Sequence, residues 1–234
     1  MFVDQPSTLY PVVPNTFPDP VRAVIFDMDG TLLDTEAAHL RAMAEAGTAL
    51  GWDVSQDLLL QMVGIHREAT QHMVAAHFGP DFPLDRFFLD SDALFEAANE
   101  AGIAVRPGAV PLLEHLKRAG IPMAVATSTR APFAQNRLER AGLLSNFDIV
   151  VTRSDVERPK PDPEPYLLAA AGLGIDPVSA VAVEDSYAGI RSATAAGIAT
   201  VMVPDLLPPT QESHLLAAAI LPSLEDLRDL LRLA

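Results

Sequence analysis

Cysteine is absent from the 234 residues. Disulfides, thiolate metal centres and a cysteine nucleophile are therefore excluded. Basic side chains are scarce: 16 lysines and arginines face 31 aspartates and glutamates, a net charge of −15. Nucleic acid and anionic membrane surfaces are repelled by such a chain, and neither is expected as a partner. An anionic small substrate must be attracted locally, by a metal ion or a few basic groups. Only two lysines occur, Lys117 and Lys160, so the place of each is informative. No apolar run reaches the roughly 18 residues of a membrane span. The N-terminus shows no basic stretch followed by an apolar one, so no secretory signal is read and a cytoplasmic protein is expected. What remains is a globular composition, 49% hydrophobic and 20% charged, with ample chain for a core.

Five prolines between Pro6 and Pro20 interrupt residues 1–20, which read as an extended or disordered lead-in. Next comes Val24-Ile25-Phe26, a short apolar run ending in Asp27-Met28-Asp29-Gly30-Thr31. It reads as a strand buried on both faces, as in a parallel sheet. Side chains alternate along an extended chain, so Asp27 and Asp29 are expected to project to the same side. The carboxyl ends of strands are where open α/β sheets bind ligands. Two carboxylates this close are unfavourable unless a cation joins them or one takes a proton.

Over residues 35–104 the apolar spacing is helical and no strand run intervenes. The groups around Met43, Leu59, Val74 and Phe95 mark four successive helices, the first capped by Asp34 or Thr35. Residues 35–104 are expected as a helical cap domain, inserted into an α/β core made of residues 21–34 and 105–234. In that second part helices and strands alternate, with strands at 122–126, 147–151, 180–183 and 199–203 and a short one at Ile220-Leu221. Such alternation implies right-handed crossovers and a Rossmann-like, mostly parallel sheet. Trp52 is expected to pack between cap elements. Gly189 is expected to let a helix approach the sheet closely. The acidic stretch from Asp85 to Glu100 reads as a solvated helix face.

Polar residues of one kind end the later strands. Ala124-Val125-Ala126 runs into Thr127-Ser128-Thr129-Arg130, and Val181-Ala182-Val183 into Glu184-Asp185-Ser186. Between them lies Lys160, within Arg158-Pro159-Lys160-Pro161-Asp162. If the strands are parallel neighbours, these groups converge on Asp27 and Asp29. Carboxylates, hydroxyls and one lysine suit a hard divalent cation and a phosphoryl group. One aspartate can attack phosphorus, and the other can protonate the leaving oxygen and later activate water. Thr127 and Lys160 can donate to the phosphoryl oxygens.

These motifs resemble those of the haloacid dehalogenase superfamily, in its helical-cap phosphatase and β-phosphoglucomutase-like group. Asp27-Met28-Asp29-Gly30-Thr31 is similar to the first family motif. Thr127 resembles the second, Lys160 in Lys-Pro-Asp-Pro the third, and Glu184-Asp185-Ser186 with Gly189 the fourth. The resemblance implies that Asp27 is the nucleophile, Asp29 the general acid and base, and Thr127 and Lys160 catalytic donors. It implies Mg²⁺ held by the Asp27 carboxylate, the Asp29 main-chain carbonyl and Asp185, with Glu184 at the metal or behind it. Gly30 and Ser128, inside the first two motifs, are expected to contact substrate.

Asp29 argues for phosphoryl transfer, because true haloacid dehalogenases lack a second aspartate. The insertion has no lysine, unlike phosphonoacetaldehyde hydrolases. Gly64-Ile65-His66-Arg67-Glu68 and His39 resemble cap residues of β-phosphoglucomutase, whose arginine grips the non-transferring phosphate. Arg67 and His39 are therefore expected at the substrate. Thr31 and Asp34-Thr35-Glu36 look more like the phosphatases. The expected protein is a monomeric, Mg²⁺-dependent phosphatase of a small phosphorylated metabolite such as a sugar phosphate. The alternatives are a phosphomutase of the β-phosphoglucomutase type and a non-catalytic phosphometabolite-binding protein.

Overall fold

The computed structural model describes residues 16–63, 65–100 and 102–231. Most of the expected lead-in, residues 1–15, lies outside them, as does Gly64. Six strands form one sheet: β1 (Ala23–Phe26), β2 (Met123–Ala126), β3 (Ile149–Val151), β4 (Ala180–Glu184), β5 (Ala199–Met202) and β6 (Ala219–Ile220). Their order is β3-β2-β1-β4-β5-β6, and every neighbouring pair is parallel. The strands are short runs of valine, isoleucine, alanine and methionine, and β1, β2, β4 and β5 are wholly buried. Side chains alternate as the pleat requires: Val24 and Phe26 enter one apolar cluster, Ala23 and Ile25 the opposite one. This is a Rossmann-like α/β fold with helices on both faces. Strand β1 has β2 on one side and β4 on the other, so successive crossovers leave in opposite directions. The carboxyl ends of β1 and β4 flank the crevice where such sheets bind ligands.

Between β1 and Val105 the chain forms four helices, with no strand among the described residues: α1 (Glu36–Ala49), α2 (Gln56–Gln61), α3 (Arg67–Phe78) and α4 (Leu84–Glu100). They bury an apolar cluster separate from those on the sheet, built from Met43, Leu58, Leu59, Val74, Phe87 and Phe88 among others. Trp52 packs there, edge-on to Phe78 and Phe82 with ring centres 5.5 and 5.2 Å away. The chain leaves and re-enters the sheet side by side. Leu33 pairs antiparallel with Val105, and the Asp34 amide donates to the Ala104 carbonyl at 2.9 Å.

The remaining helices are α5 (Ala109–Arg118), α6 (Phe133–Arg140), α7 (Glu164–Gly172), α8 (Tyr187–Ala195), α9 (Gln211–Leu216) and α10 (Leu224–Leu230). Helices α5, α6 and α10 cover one sheet face with Leu112, Leu116, Leu138 and Leu227. Helices α7 and α8 cover the other with Tyr166 and small alanines. Helix α9 has no counterpart in the sequence expectations. Thr210 starts it, its hydroxyl accepting from the Ser213 amide, while the Thr210 amide donates back to the Ser213 hydroxyl. Among the described residues no helix is long and apolar enough to cross a membrane.

Candidate active site

Strand β1 hands its ladder on to Asp27, whose amide donates to the Val183 carbonyl at 2.9 Å. That bond places the Asp27 carboxylate beside the end of β4. Its Oδ1 accepts from Lys160 Nζ at 2.6 Å, and the same ammonium donates to Glu184 Oε1 at 2.6 Å. Tyr166 Oη donates to Glu184 Oε1 at 2.6 Å, while the Ser186 amide and hydroxyl donate to Oε2. Glu184 is fully buried and both of its oxygens are engaged. The expected close approach at Gly189 is onto this carboxylate: a Cβ there would lie 1.8 Å from Glu184 Oε1.

Asp185 follows on the same turn, buried, with Oδ1 accepting from Thr31 Oγ1 at 3.3 Å. Its other oxygen lies over Gly30, 2.3 Å from where a Cβ would sit, and Gly30 has φ +86°. Both the space and the backbone thus require glycine. Gly30 is not among the residues lining the cavity described below, and its amide donates to the Leu33 carbonyl at 2.8 Å.

Burial pushes the Asp27 carboxyl up to about 8, the charges of Glu184 and Asp29 add to the rise, and Lys160 opposes it. Burial likewise raises Asp185, helped by Asp27 and Glu184. Burial works against the Lys160 charge, but the two carboxylates outweigh it and hold the ammonium above its ordinary range. Oxygens of Asp27, Glu184 and Asp185 lie within 4.8 Å of one another. Three buried carboxylates against one lysine leave negative charge unanswered. An all-oxygen donor set of this kind fits a hard divalent cation such as Mg²⁺.

Asp29 sits in a different cradle. Its Oδ1 accepts from Thr35 Oγ1 at 2.6 Å and its Oδ2 from Thr129 Oγ1 at 2.7 Å. Arg137 on α6 reaches both, with Nη1 3.4 Å from Asp29 Oδ1 and 3.2 Å from Thr129 Oγ1. Its Nη2 donates to Glu96 at 3.1 Å, and its guanidinium lies 4.5 Å from the Phe95 ring centre. Asp34 or Thr35 was expected to cap α1, and Thr35 takes the place. Its hydroxyl, however, is spent on Asp29 and makes no cap bond. Neither Arg137 nor Glu96 was singled out from the sequence. Thr127 extends β2, its amide donating to the Val151 carbonyl and its Oγ1 accepting from the Thr129 amide at 3.0 Å.

A cavity of about 310 Å³ opens above these groups. Asp27, Asp29, Thr127, Ser128 and Asp185 line it from the sheet, and His39 and Arg67 from the helical insertion. Lys160 and Glu184 stand behind its wall. Arg67 is bonded to Asp92 and lies 4.6 Å from the Phe88 ring centre. Burial, with the charges of Arg137 and Arg67, lowers His39 to about 4, so its ring is neutral at pH 7. The acidic stretch is only in part a solvated face: Asp92 and Glu96 turn into the cavity.

This fold and site define a class. The profile of the haloacid dehalogenase-like hydrolases matches residues 21–197, and the chain belongs to that family. Hexitol phosphatase A of Escherichia coli is 36% identical over 184 residues, 78% of this chain and 82% of the relative. The phosphorylated carbohydrates phosphatase of Thermotoga maritima is 35% identical over 76% of this chain and 82% of its own length. A solved structure of a putative beta-phosphoglucomutase from Thermotoga maritima is 30% identical and superposes with a TM-score of 0.74, covering 90% of this chain and 98% of that one. Within the family the chain is a phosphatase-type hydrolase.

Proposed function

We propose that the protein is a Mg²⁺-dependent phosphatase of a small phosphorylated sugar or polyol, working through an aspartyl-phosphate at Asp27. The carrying observation is that Asp27 and Asp29 line one cavity in opposed settings. Asp27 is tied to a lysine among buried carboxylates, and Asp29 is held by two hydroxyls. In this reading an Asp27 oxygen attacks phosphorus while Asp29 gives its proton to the departing ester oxygen. Asp29 then takes a proton from water, which attacks phosphorus and frees the Asp27 carboxylate. Lys160 holds Asp27, and Thr127 and Ser128 meet the phosphoryl oxygens. Asp27, the Asp29 main-chain carbonyl and Asp185 would hold Mg²⁺, with the fully engaged Glu184 supporting them from behind. The cation would offset the repulsion between a phosphate dianion and the carboxylates. The same reading takes the enzyme as cytoplasmic and monomeric.

A second reading, a phosphomutase, draws on Arg67 in the cavity and on the mutase-like fold match. Phosphate release from a panel of phosphorylated metabolites, with Mg²⁺ and with chelator, separates the two. The expected result is Mg²⁺-dependent release that chelator abolishes. Interconversion of glucose 1- and 6-phosphates with little free phosphate would support the mutase instead. Binding without any turnover would support a non-catalytic protein.

A further inference from the structure

We propose that the non-reacting end of the substrate is a neutral, hydroxyl-bearing tail, and that Asp92 enforces this by holding Arg67. The inference deepens the phosphatase reading and rests on it for the reacting end. Arg67, Arg130 and Arg137 line the cavity, and each is already paired. Arg67 is bonded to Asp92, Arg130 to Glu68, and Arg137 to both Asp29 and Glu96. Six acidic side chains line the same cavity: Asp27, Asp29, Glu36 and Asp185 towards the sheet, and Asp92 and Glu96 on α4. His39, neutral at pH 7, adds no positive charge.

The two ends of the cavity therefore differ. At the reacting end a cation held by Asp27 and Asp185 would answer the phosphate, with Lys160 behind the wall on Asp27. At the end built by α4, a second phosphate or a carboxylate meets Asp92 and Glu96, and the arginines among the described lining residues are already paired. To reach Arg67 it must first displace Asp92. Hydroxyl groups meet the same surface favourably, because they donate to Asp92 and Glu96. The rings of Phe88 and Phe95 offer an apolar floor beside those carboxylates. A cavity of about 310 Å³ suits a tail of sugar size. Asp92 acts through Arg67, so it is a positioning residue for specificity. Its side chain is 49% exposed, and replacing it leaves the apolar cluster beneath untouched.

The test uses a matched pair: glucitol 6-phosphate and 6-phosphogluconate, which differ only in a terminal alcohol against a carboxylate. Affinities are measured by calorimetry with Mg²⁺ on Asp27→Asn, which stops turnover, alone and combined with Asp92→Asn or Asp92→Glu. The glucitol ester is expected to bind about tenfold or more tighter than 6-phosphogluconate. Asp92→Asn, by freeing Arg67, is expected to shift that ratio about tenfold towards 6-phosphogluconate. Asp92→Glu is expected to restore the original ratio. Equal or tighter binding of 6-phosphogluconate, a ratio unmoved by Asp92→Asn, or binding of neither ester would overturn the inference. Failure of the wild-type enzyme to hydrolyse either ester would count against the phosphatase reading, and the binding ratio would still decide this one.

Discussion

Asp27→Asn is expected to lower turnover by at least about 10⁴-fold, because the proposed nucleophile becomes an amide that cannot form the acyl-phosphate. Stability is expected to move the other way. The folded-state pKa of Asp27 is raised from its ordinary value to about 8. The folded protein therefore holds a proton that the unfolded chain releases. The stability linked to that proton is present at low pH and is lost as pH rises through about 8. Asparagine carries no such dependence and still offers an oxygen to Lys160. In chelator, Asp27→Asn should melt no lower than wild type, with a margin in its favour that grows from about pH 6 to about pH 9. Melting curves across that range, beside phosphate release, check both halves. A variant that retained turnover would sink the assignment of the nucleophile.

Lys160→Met carries the largest expected cost in stability. The ammonium is the shared donor to Asp27 and Glu184, at 2.6 Å from each, and its side chain is 2% exposed. Methionine fills similar space but leaves two buried carboxylates facing one another. Breaking a buried pair in this way costs about 3–5 kcal/mol. Asp27, whose burial already favours its protonated form, can escape part of that cost by taking up a proton. The deficit should therefore be smaller near pH 6 than near pH 8, roughly following the protonation of Asp27. Turnover should fall about 10³-fold as well, since the anchor that orients Asp27 is lost. Urea midpoints at the two pH values give the first quantity and phosphate release the second. A variant as stable as wild type at the higher pH would contradict this account of the buried network.

What could be read in the sequence divides along physical lines. Asp27, Thr127, Glu184 and Asp185 each close a short apolar run. Strand ends are local features, and parallel order brings them to one edge. Lys160 stood out because lysine is so rare here. The helical block between β1 and β2 was legible from its periodicity, and Trp52 from its apolar surroundings. Arg137 and Glu96 were not legible. Periodicity marks which face of α4 or α6 is apolar, but not which polar residue of one helix meets the other across a cavity. The acidic run at Asp85–Glu100 misled for the same reason: its charge suggested solvent, while Asp92 and Glu96 find arginines. Thr35 misled differently. A threonine before a helix has a local partner available, and here the longer-range carboxylate of Asp29 outcompetes it. Helix α9 is only six residues long and opens with a serine, rather than a glutamate or glutamine, at its third position. That pattern is too weak to separate from a turn.

The central claim is a covalent step at Asp27, and trapping the intermediate tests it most directly. Asp29→Asn removes the group proposed to activate water, while p-nitrophenyl phosphate needs no acid to expel its leaving group. The two together should let the phosphorylated enzyme accumulate. Reactions with Mg²⁺ are stopped in acid within the first turnover, digested and analysed by mass spectrometry. The account predicts one added phosphoryl group on the peptide carrying Asp27, and none when Asp27→Asn is added. Burst release of p-nitrophenol with no phosphorylated peptide, or with the phosphoryl group on another residue, would contradict it.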